Sequence, residues 1–369
     1  MKTTSPFRPA RRSIVYLGWQ GNDNFGDELL YDTWKAALSS SLNDEAPLTL
    51  RRYLVTEAAS FLRQRARTLG DERIVLLGGG TTVGFDAWAD HAELALRMYG
   101  ARALVAAGAG AARHDDPVTA TRQPQDWRRW SQLEAFALWG VRGPSTQDEC
   151  ARAGLSAPVV GDPALLYPVV RPLESRLAAP AIGLCLGSEG TSAYSVPQIV
   201  DAINRYAWTR DCEVVLFELT PADRPVTIAA RRRLGNRARV VAFEGDVDAM
   251  MGEIAACAAF VSERLHGTVA AAAVGVPVVP LSYGSKCDDF WLSITGEMPR
   301  LSPTSRTSDV MAEVRRCVEP AFTGRVARAV EAAQRSLLEC SRTLDAWQRG
   351  ERDTASLFGF RPEAVMCDA

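Results

Sequence analysis

The stretch SIVYLGWQGNDNFGDELLYDTWKAAL, residues 13–38, decides the fold. Its first seven residues form a short apolar run that ends around a glycine. A polar loop follows over residues 20–26, and from Asp27 to Leu38 apolar residues recur at helical spacing. A strand that runs into glycine and then, through a short loop, into a helix is the opening unit of a nucleotide-binding half-fold.

The unit recurs on both sides of a proline-flecked segment at residues 167–180. Before it, strands are expected over residues 48–55, 73–80, 103–110 and 137–143, with helices over 57–68, 87–99 and 145–153. The run RIVLLGGG, residues 73–80, carries three glycines, and VVGDPALL, residues 159–166, closes this half. After the segment, AIGLCLG, residues 181–187, again runs a strand into glycine. Strands over 212–219, 238–243, 258–262 and 276–282 then alternate with helices over 196–208, 226–234 and 248–256 and from about His266. Apolar runs without polar alternation point to parallel strands covered on both faces. The expected fold is α/β, two Rossmann-like domains facing a central cleft, over residues 13–170 and 171–324. A long helix over 325–347 should cross back to the first domain, and residues 348–369 read as a loosely ordered tail.

Bulk numbers agree with this and exclude other classes. A chain of 369 residues with 47% hydrophobic and 23% charged residues can bury two cores. Its net charge of −2 offers no general field for nucleic acid or an acidic membrane, so any anion site must be local. The eight cysteines are scattered, with no C-x-x-C pair and no histidine at ligand spacing, which argues against a zinc site or a disulfide framework. No metal and no cofactor is expected. The apolar run after the basic N-terminus is too short for a signal core or a span. A soluble cytoplasmic protein without an integral membrane segment is expected, its basic N-terminal tail able to touch a membrane surface weakly.

Four stretches carry chemistry. In GNDNFGDELL, residues 21–30, Asn24, Asp27 and Glu28 fall at a helix start, where carboxylates suit a hydroxyl-rich ligand better than a phosphate. A loop with a helix cap explains the same residues structurally. Gly79 and Gly80 mark a close approach to the backbone but lack the lysine of a phosphate loop. In VRGPSTQDE, residues 141–149, Arg142 stands beside the expected first-turn amides of Ser145 and Thr146. That is an anion site, or else a surface arginine. In SERLHGTVAAAAVGVPVVPLSYGSKCDDF, residues 262–290, Arg264 and His266 lie between a strand end and a helix start, next to Gly267. Lys286 is expected in the loop after the next strand, beside Ser282 and Tyr283. Arg264 has a structural alternative, as the buried partner of Glu263 or Asp289.

At these residues the chain resembles the polysaccharide pyruvyl transferase family. The resemblance runs from about Ile14 to Phe290. It rests on the G-x-x-G-x-x-N-x-G-D-E opening (Gly18, Gly21, Asn24, Gly26, Asp27, Glu28), the triple glycine, R-x-x-S (Arg142, Ser145) and G-D-P-A (residues 161–164). S-x-R-L-H-G (residues 262–267), G-V-P (residues 275–277) and S-Y-x-x-K (Ser282, Tyr283, Lys286) complete it. It implies a glycosyltransferase-B-like fold, phosphoenolpyruvate as donor substrate, and a carbohydrate acceptor, free or lipid-linked, that gains a pyruvate ketal. It also implies donor-side action for Arg142, His266 and Lys286. The chain departs from the family pattern at Gly143 and at Thr81 after the triple glycine, and neither departure is expected to touch the cationic set. The chemistry fits independently, because protonating the enol methylene needs an acid that titrates near neutrality and the departing phosphate needs cations. Rival readings are a nucleotide-sugar glycosyltransferase, a non-catalytic carbohydrate-binding relative, and a transferase whose product is an enolpyruvyl ether or a modified small molecule.

Overall fold

The computed structural model describes residues 11–38, 48–49, 62, 66, 70–116, 124–173, 181–187, 190–235 and 238–365. Most of the helix expected over 57–68 and of the strand over 48–55 lies outside the described residues.

Two five-stranded, all-parallel sheets form the frame. The first holds β1 (Arg12–Gly18), β2 (Leu48–Thr49), β3 (Glu72–Leu77), β4 (Leu104–Ala109) and β5 (Phe136–Val141) in the order β2-β1-β3-β4-β5. The second holds β6 (Ala181–Cys185), β7 (Glu213–Glu218), β8 (Ala238–Ala242), β9 (Cys257–Ser262) and β10 (Val278–Pro280) in the order β10-β9-β6-β7-β8. Helices α1 (Phe25–Ala37), α2 (Asp86–Tyr99), α3 (Trp127–Gln132), α4 (Pro144–Arg152) and α5 (Tyr167–Val170) belong to the first half of the chain. The second half carries α6 (Val196–Arg210), α7 (Arg224–Leu234), α8 (Val247–Ala255), α9 (Leu265–Ala273), α10 (Ser285–Thr295) and α11 (Thr307–Cys317). Last come α12 (Pro320–Gln348) and α13 (Ala355–Gly359). The interiors of β1, β3, β4, β6 and β7 are buried on both faces, β4 throughout its length, which explains their unbroken apolar runs, while β8 at the sheet edge is only half-buried.

The domains are joined by more than a linker. Helix α1 follows the first strand, yet its Phe25, Leu29 and Leu30 pack into the core of the second domain. The Phe25 amide donates to the Leu219 carbonyl at 3.0 Å, and its ring meets Phe243 edge-on at 5.5 Å. Burying those three side chains is worth roughly 5–9 kcal/mol as an upper figure. Helix α12, 29 residues long, buries Phe322, Val330, Ala333 and Leu337 in the second core and Cys340, Leu344 and Trp347 against the first sheet.

Two expectations need correction. Residues 285–295 form a helix, so Lys286 stands in a helical first turn and not in a loop. The signal was present in Cys287, Phe290, Trp291 and Ile294, which recur at helical spacing and are all buried. Residues 348–365 of the expected tail are also better ordered than their composition suggests. Leu357 is fully buried, its carbonyl accepts from the Trp139 indole at 2.7 Å, and Phe360 packs edge-on against Trp139 at 4.6 Å. Among the described residues, no helix is long and apolar enough to cross a membrane.

Candidate active site

In each sheet the strand order reverses direction once, between β1 and β3 and between β6 and β9. Crevices beyond the carboxyl ends of strands at such points are where open parallel sheets hold ligands. The segments that leave these four strand ends contain Asn24, Asp27 and Glu28, then Gly79 and Gly80, then Gly187, then Glu263, Arg264 and His266.

Arg142 leaves β5 and is completely buried. Its guanidinium lies on Gly110, where any Cβ would overlap it, so the glycine after β4 makes the room. Nη1 donates to the Thr81 hydroxyl at 3.2 Å, and Nε lies 3.4 Å from Asp289 Oδ2. Thr81, a departure from the family pattern, therefore does touch the cationic set. Nε and Nη2 are buried without a hydrogen-bond partner. A guanidinium with unsatisfied buried donors is costly unless something else binds them.

The expectation that Ser145 and Thr146 offer free amides is corrected. Asp289 of α10 reaches across the cleft and occupies that helix start, accepting from the Thr146 amide at 3.1 Å and its hydroxyl at 2.6 Å. The Ser145 amide bonds the same carboxylate. The reverse contact exists too, since Asp116 of the first domain accepts from the Ser285 amide at 2.6 Å and caps α10. Each domain thus inserts a carboxylate into a helix start of the other, which satisfies orphan amides and favours the dipole.

His266 stands in the first turn of α9 with its side chain 15% exposed. Its ring lies against the α-carbon of Gly26, where a methyl group would overlap the imidazole. Nε2 has no hydrogen-bond partner and points toward Asp162 Oδ2 at 3.9 Å, itself buried and unpartnered. Burial, then Arg142 and Lys286, push the imidazole down to about 3. Burial pushes Asp162 up to about 6, against the opposing pull of Arg142 and of the Ala164 amide. Lys286 Nζ sits 5.0 Å from the centre of the Tyr283 ring, a cation–π distance. Asp27 is pushed up to about 7 by burial, with Lys286 pulling the other way. Tyr16, buried under Gly78, is raised by burial and by Asp27 among other carboxylates. The centre thus gathers Arg142 and Asp162 from the first half with His266 and Lys286 from the second.

The other residues singled out in the sequence have structural partners. Arg264 is paired by Asp223, not by Glu263 or Asp289. Nε donates to Asp223 Oδ1 at 2.9 Å and Nη2 to the Thr220 hydroxyl at 3.0 Å. Glu263 accepts from the Gly187 amide at 2.9 Å and the Ala193 amide at 2.6 Å. Asn24 caps α1 through the Gly26 amide at 3.0 Å, and Glu28 accepts from the Gly21 amide. Gly79 and Gly80 turn with positive φ, +124° and +72°, over Leu30 and Pro163. Gly267 packs on the Ser262 hydroxyl, and Ser282 donates to Asp288 while its carbonyl accepts from Tyr194 at 2.8 Å. Sequence reading missed Asp162 and Asp289 as site groups. The G-D-P-A run marked the first, and nothing local marked the second. Among the described residues, no cluster of three or more His, Cys, Asp or Glu side chains could hold a metal ion.

A sequence model described as polysaccharide pyruvyl transferase matches residues 24–285, most of the chain, and ends one residue short of Lys286. No curated protein sequence matches significantly. Among solved structures, a Listeria monocytogenes protein assigned as a UDP-N-acetylglucosamine 2-epimerase is similar, with TM-score 0.64 and 14% identity over 97% of this chain and 100% of that one. The S. aureus MnaA–UDP co-structure gives 0.61 and 13% over 96% and 100%. UDP-GlcNAc 2-epimerase from Neisseria meningitidis, bound to UDP-GlcNAc, gives 0.55 and 12% over 92% and 100%. At such identities the likeness shows the fold alone, glycosyltransferase-B-like. The family match is of another kind, and the chain belongs to the polysaccharide pyruvyl transferase family.

Proposed function

We propose that this member of the family moves the enolpyruvyl group of phosphoenolpyruvate onto two hydroxyls of a carbohydrate, free or lipid-linked, and closes a pyruvate ketal. The observation that carries the reading is Arg142: a buried guanidinium with two unsatisfied nitrogens, beside a largely buried imidazole on which Lys286 also acts. Two cations and a neutral ring suit a small, dense anion. Phosphoenolpyruvate carries about three negative charges, and Arg142 can fork onto phosphate or carboxylate where Lys286 supplies a point charge.

The residues divide the work as follows. His266 gives a proton to the enol methylene while an acceptor hydroxyl attacks the neighbouring carbon, and Asp27, with a pKa close to neutrality, takes the hydroxyl proton. Attack by the second hydroxyl expels phosphate, whose charge Arg142 and Lys286 stabilise. The diol loses two protons, one of which ends on the new methyl group and the other on the departing phosphate. His266 is held neutral by burial and then by the two cations in the absence of ligand, and an anion between the cations reverses their share of that influence. Contacts from both domains surround the site and keep out the water that would consume the activated group.

The test offers the protein phosphoenolpyruvate with a panel of glycosides, and separately nucleotide sugars. Phosphate should be released only with phosphoenolpyruvate and acceptor together, and the product should show the ketal methyl singlet by NMR. His266→Ala should lower kcat by about 10²–10⁴-fold. Consumption of a nucleotide sugar alone, or a vinyl ether product, would overturn the reading.

A further inference from the structure

Asp162 is not needed to bind the donor, yet its placement demands an account. It precedes a 3₁₀ turn at Pro163–Leu166, and its Oδ1 caps that turn by accepting from the Ala164 amide at 3.0 Å. Its Oδ2 has no such task. It is fully buried, has no hydrogen-bond partner, and faces His266 Nε2, also without one, at 3.9 Å. Two unpartnered, buried, titratable atoms that face each other cost free energy in a fold that needs neither. The ring is held from its other edge by Gly26.

From this geometry we infer that Asp162 and His266 form a one-proton pair, in which Asp162 positions the imidazole and holds the proton until an anion reaches Arg142 and Lys286. The inference rests on the proposed transfer from phosphoenolpyruvate for its catalytic meaning, but not for its chemistry. Without an anion and below about pH 6, the proton sits on Asp162, because burial first and then the two cations disfavour an imidazolium. The direction of both groups agrees, with the carboxyl pushed up to about 6 and the ring down to about 3. The charged and titratable groups around the pair are Arg142, Lys286, Asp27 and Tyr16. An anion on Arg142 and Lys286 cancels the charges that oppose the imidazolium. The proton then passes from Asp162 Oδ2 to His266 Nε2, leaving a carboxylate beside an imidazolium, and no other reactant is consumed. The acid is armed by the substrate's own charge, so it does not depend on bulk pH alone.

The experiment compares wild type with Asp162→Asn, whose amide oxygen can keep the Ala164 cap. Nitrogen-15 spectra of the three histidines at pH 5.5, where Asp162 holds its proton, report protonation of His266, with inorganic phosphate and then phosphoenolpyruvate as the titrant. In wild type, either anion should convert the His266 signal from neutral to imidazolium, and in Asp162→Asn the ring should stay neutral at saturating anion. In turnover, Asp162→Asn should lose about 100-fold in kcat with donor KM changed less than threefold, and lose the wild-type dependence of kcat on pH. An imidazolium in the variant, or wild-type kcat and pH profile, would overturn the pair. If no donor turns over but phosphate still protonates His266 in wild type alone, the pair stands and the proposed reaction fails. Should Asp162→Asn not fold, the infrared difference spectrum of wild type on adding phosphate takes its place. It should show a protonated carboxyl converting to carboxylate, absent in His266→Gln, and its presence in His266→Gln sinks the inference.

Discussion

The corners at residues 141–146 and 262–268, VRGPST and SERLHGT, share one plan: a buried strand, an arginine, and a helix that starts within three residues. Their arginines end in opposite states. Arg264 meets Asp223 and Thr220 with Nε and Nη2, while Arg142 meets Thr81 with one nitrogen and leaves two buried without hydrogen bonds. Their helix starts differ as well, since α4 is stopped by Asp289 whereas α9 presents His266. The lesson is that an arginine at a strand end is a ligand group only when its own carboxylate does not use it up. Arg264 is therefore held as a structural ion pair, and Arg142 keeps donors for the proposed anion.

The strongest way to break this contrast is Arg142→Met. It strands Asp289 and should cost about 3–5 kcal/mol in urea denaturation while abolishing the proposed phosphoenolpyruvate-dependent phosphate release. Adding Asp289→Asn, which can still cap α4, should recover most of the stability and none of the activity. A single variant as stable and active as wild type would dissolve the distinction between the corners.

A smaller effect sharpens the second corner. His266 is held near 3 in the fold against about 6.5 in the unfolded chain, so its stabilising contribution is complete above pH 6.5 and lost as pH falls toward 3. Between pH 7 and 5, wild type without added anion should lose about 2 kcal/mol that His266→Gln does not lose. Equal pH slopes for the two proteins would show that burial and the neighbouring cations do not hold the ring neutral.

The smallest effect compares the arginines directly. Arg142→Lys should raise donor KM about tenfold, because a lysine cannot fork onto an oxyanion. Arg264→Lys should leave donor KM within about twofold and cost only about 1 kcal/mol of stability. Similar KM changes in both would mean that Arg264 binds the donor after all.

Much of the fold was legible because its signals are local. Strands such as β3 and β4 are buried on both faces and show as unbroken apolar runs. The helix at 285–295 carried a legible period, but the lysine and two aspartates in its first turns read as a loop. His266 and Arg142 stood out by chemistry at strand ends. Asp289 did not, because its partner helix lies in the other domain and no spacing along the chain announces that contact.

The alternation of apolar runs, glycine ends and helical periods determined by itself that this protein builds two parallel sheets and turns its polar loops toward strand ends. Periodicity encodes which faces avoid water, and that requirement acts over a few residues at a time. Only the tertiary structure decided which carboxylate neutralises which cation, that Asp289 and Asp116 exchange places between domains, and that Asp162 faces His266. Coulomb and hydrogen-bond partners are chosen by distance in space, and residues far apart in sequence become neighbours only once both cores have packed.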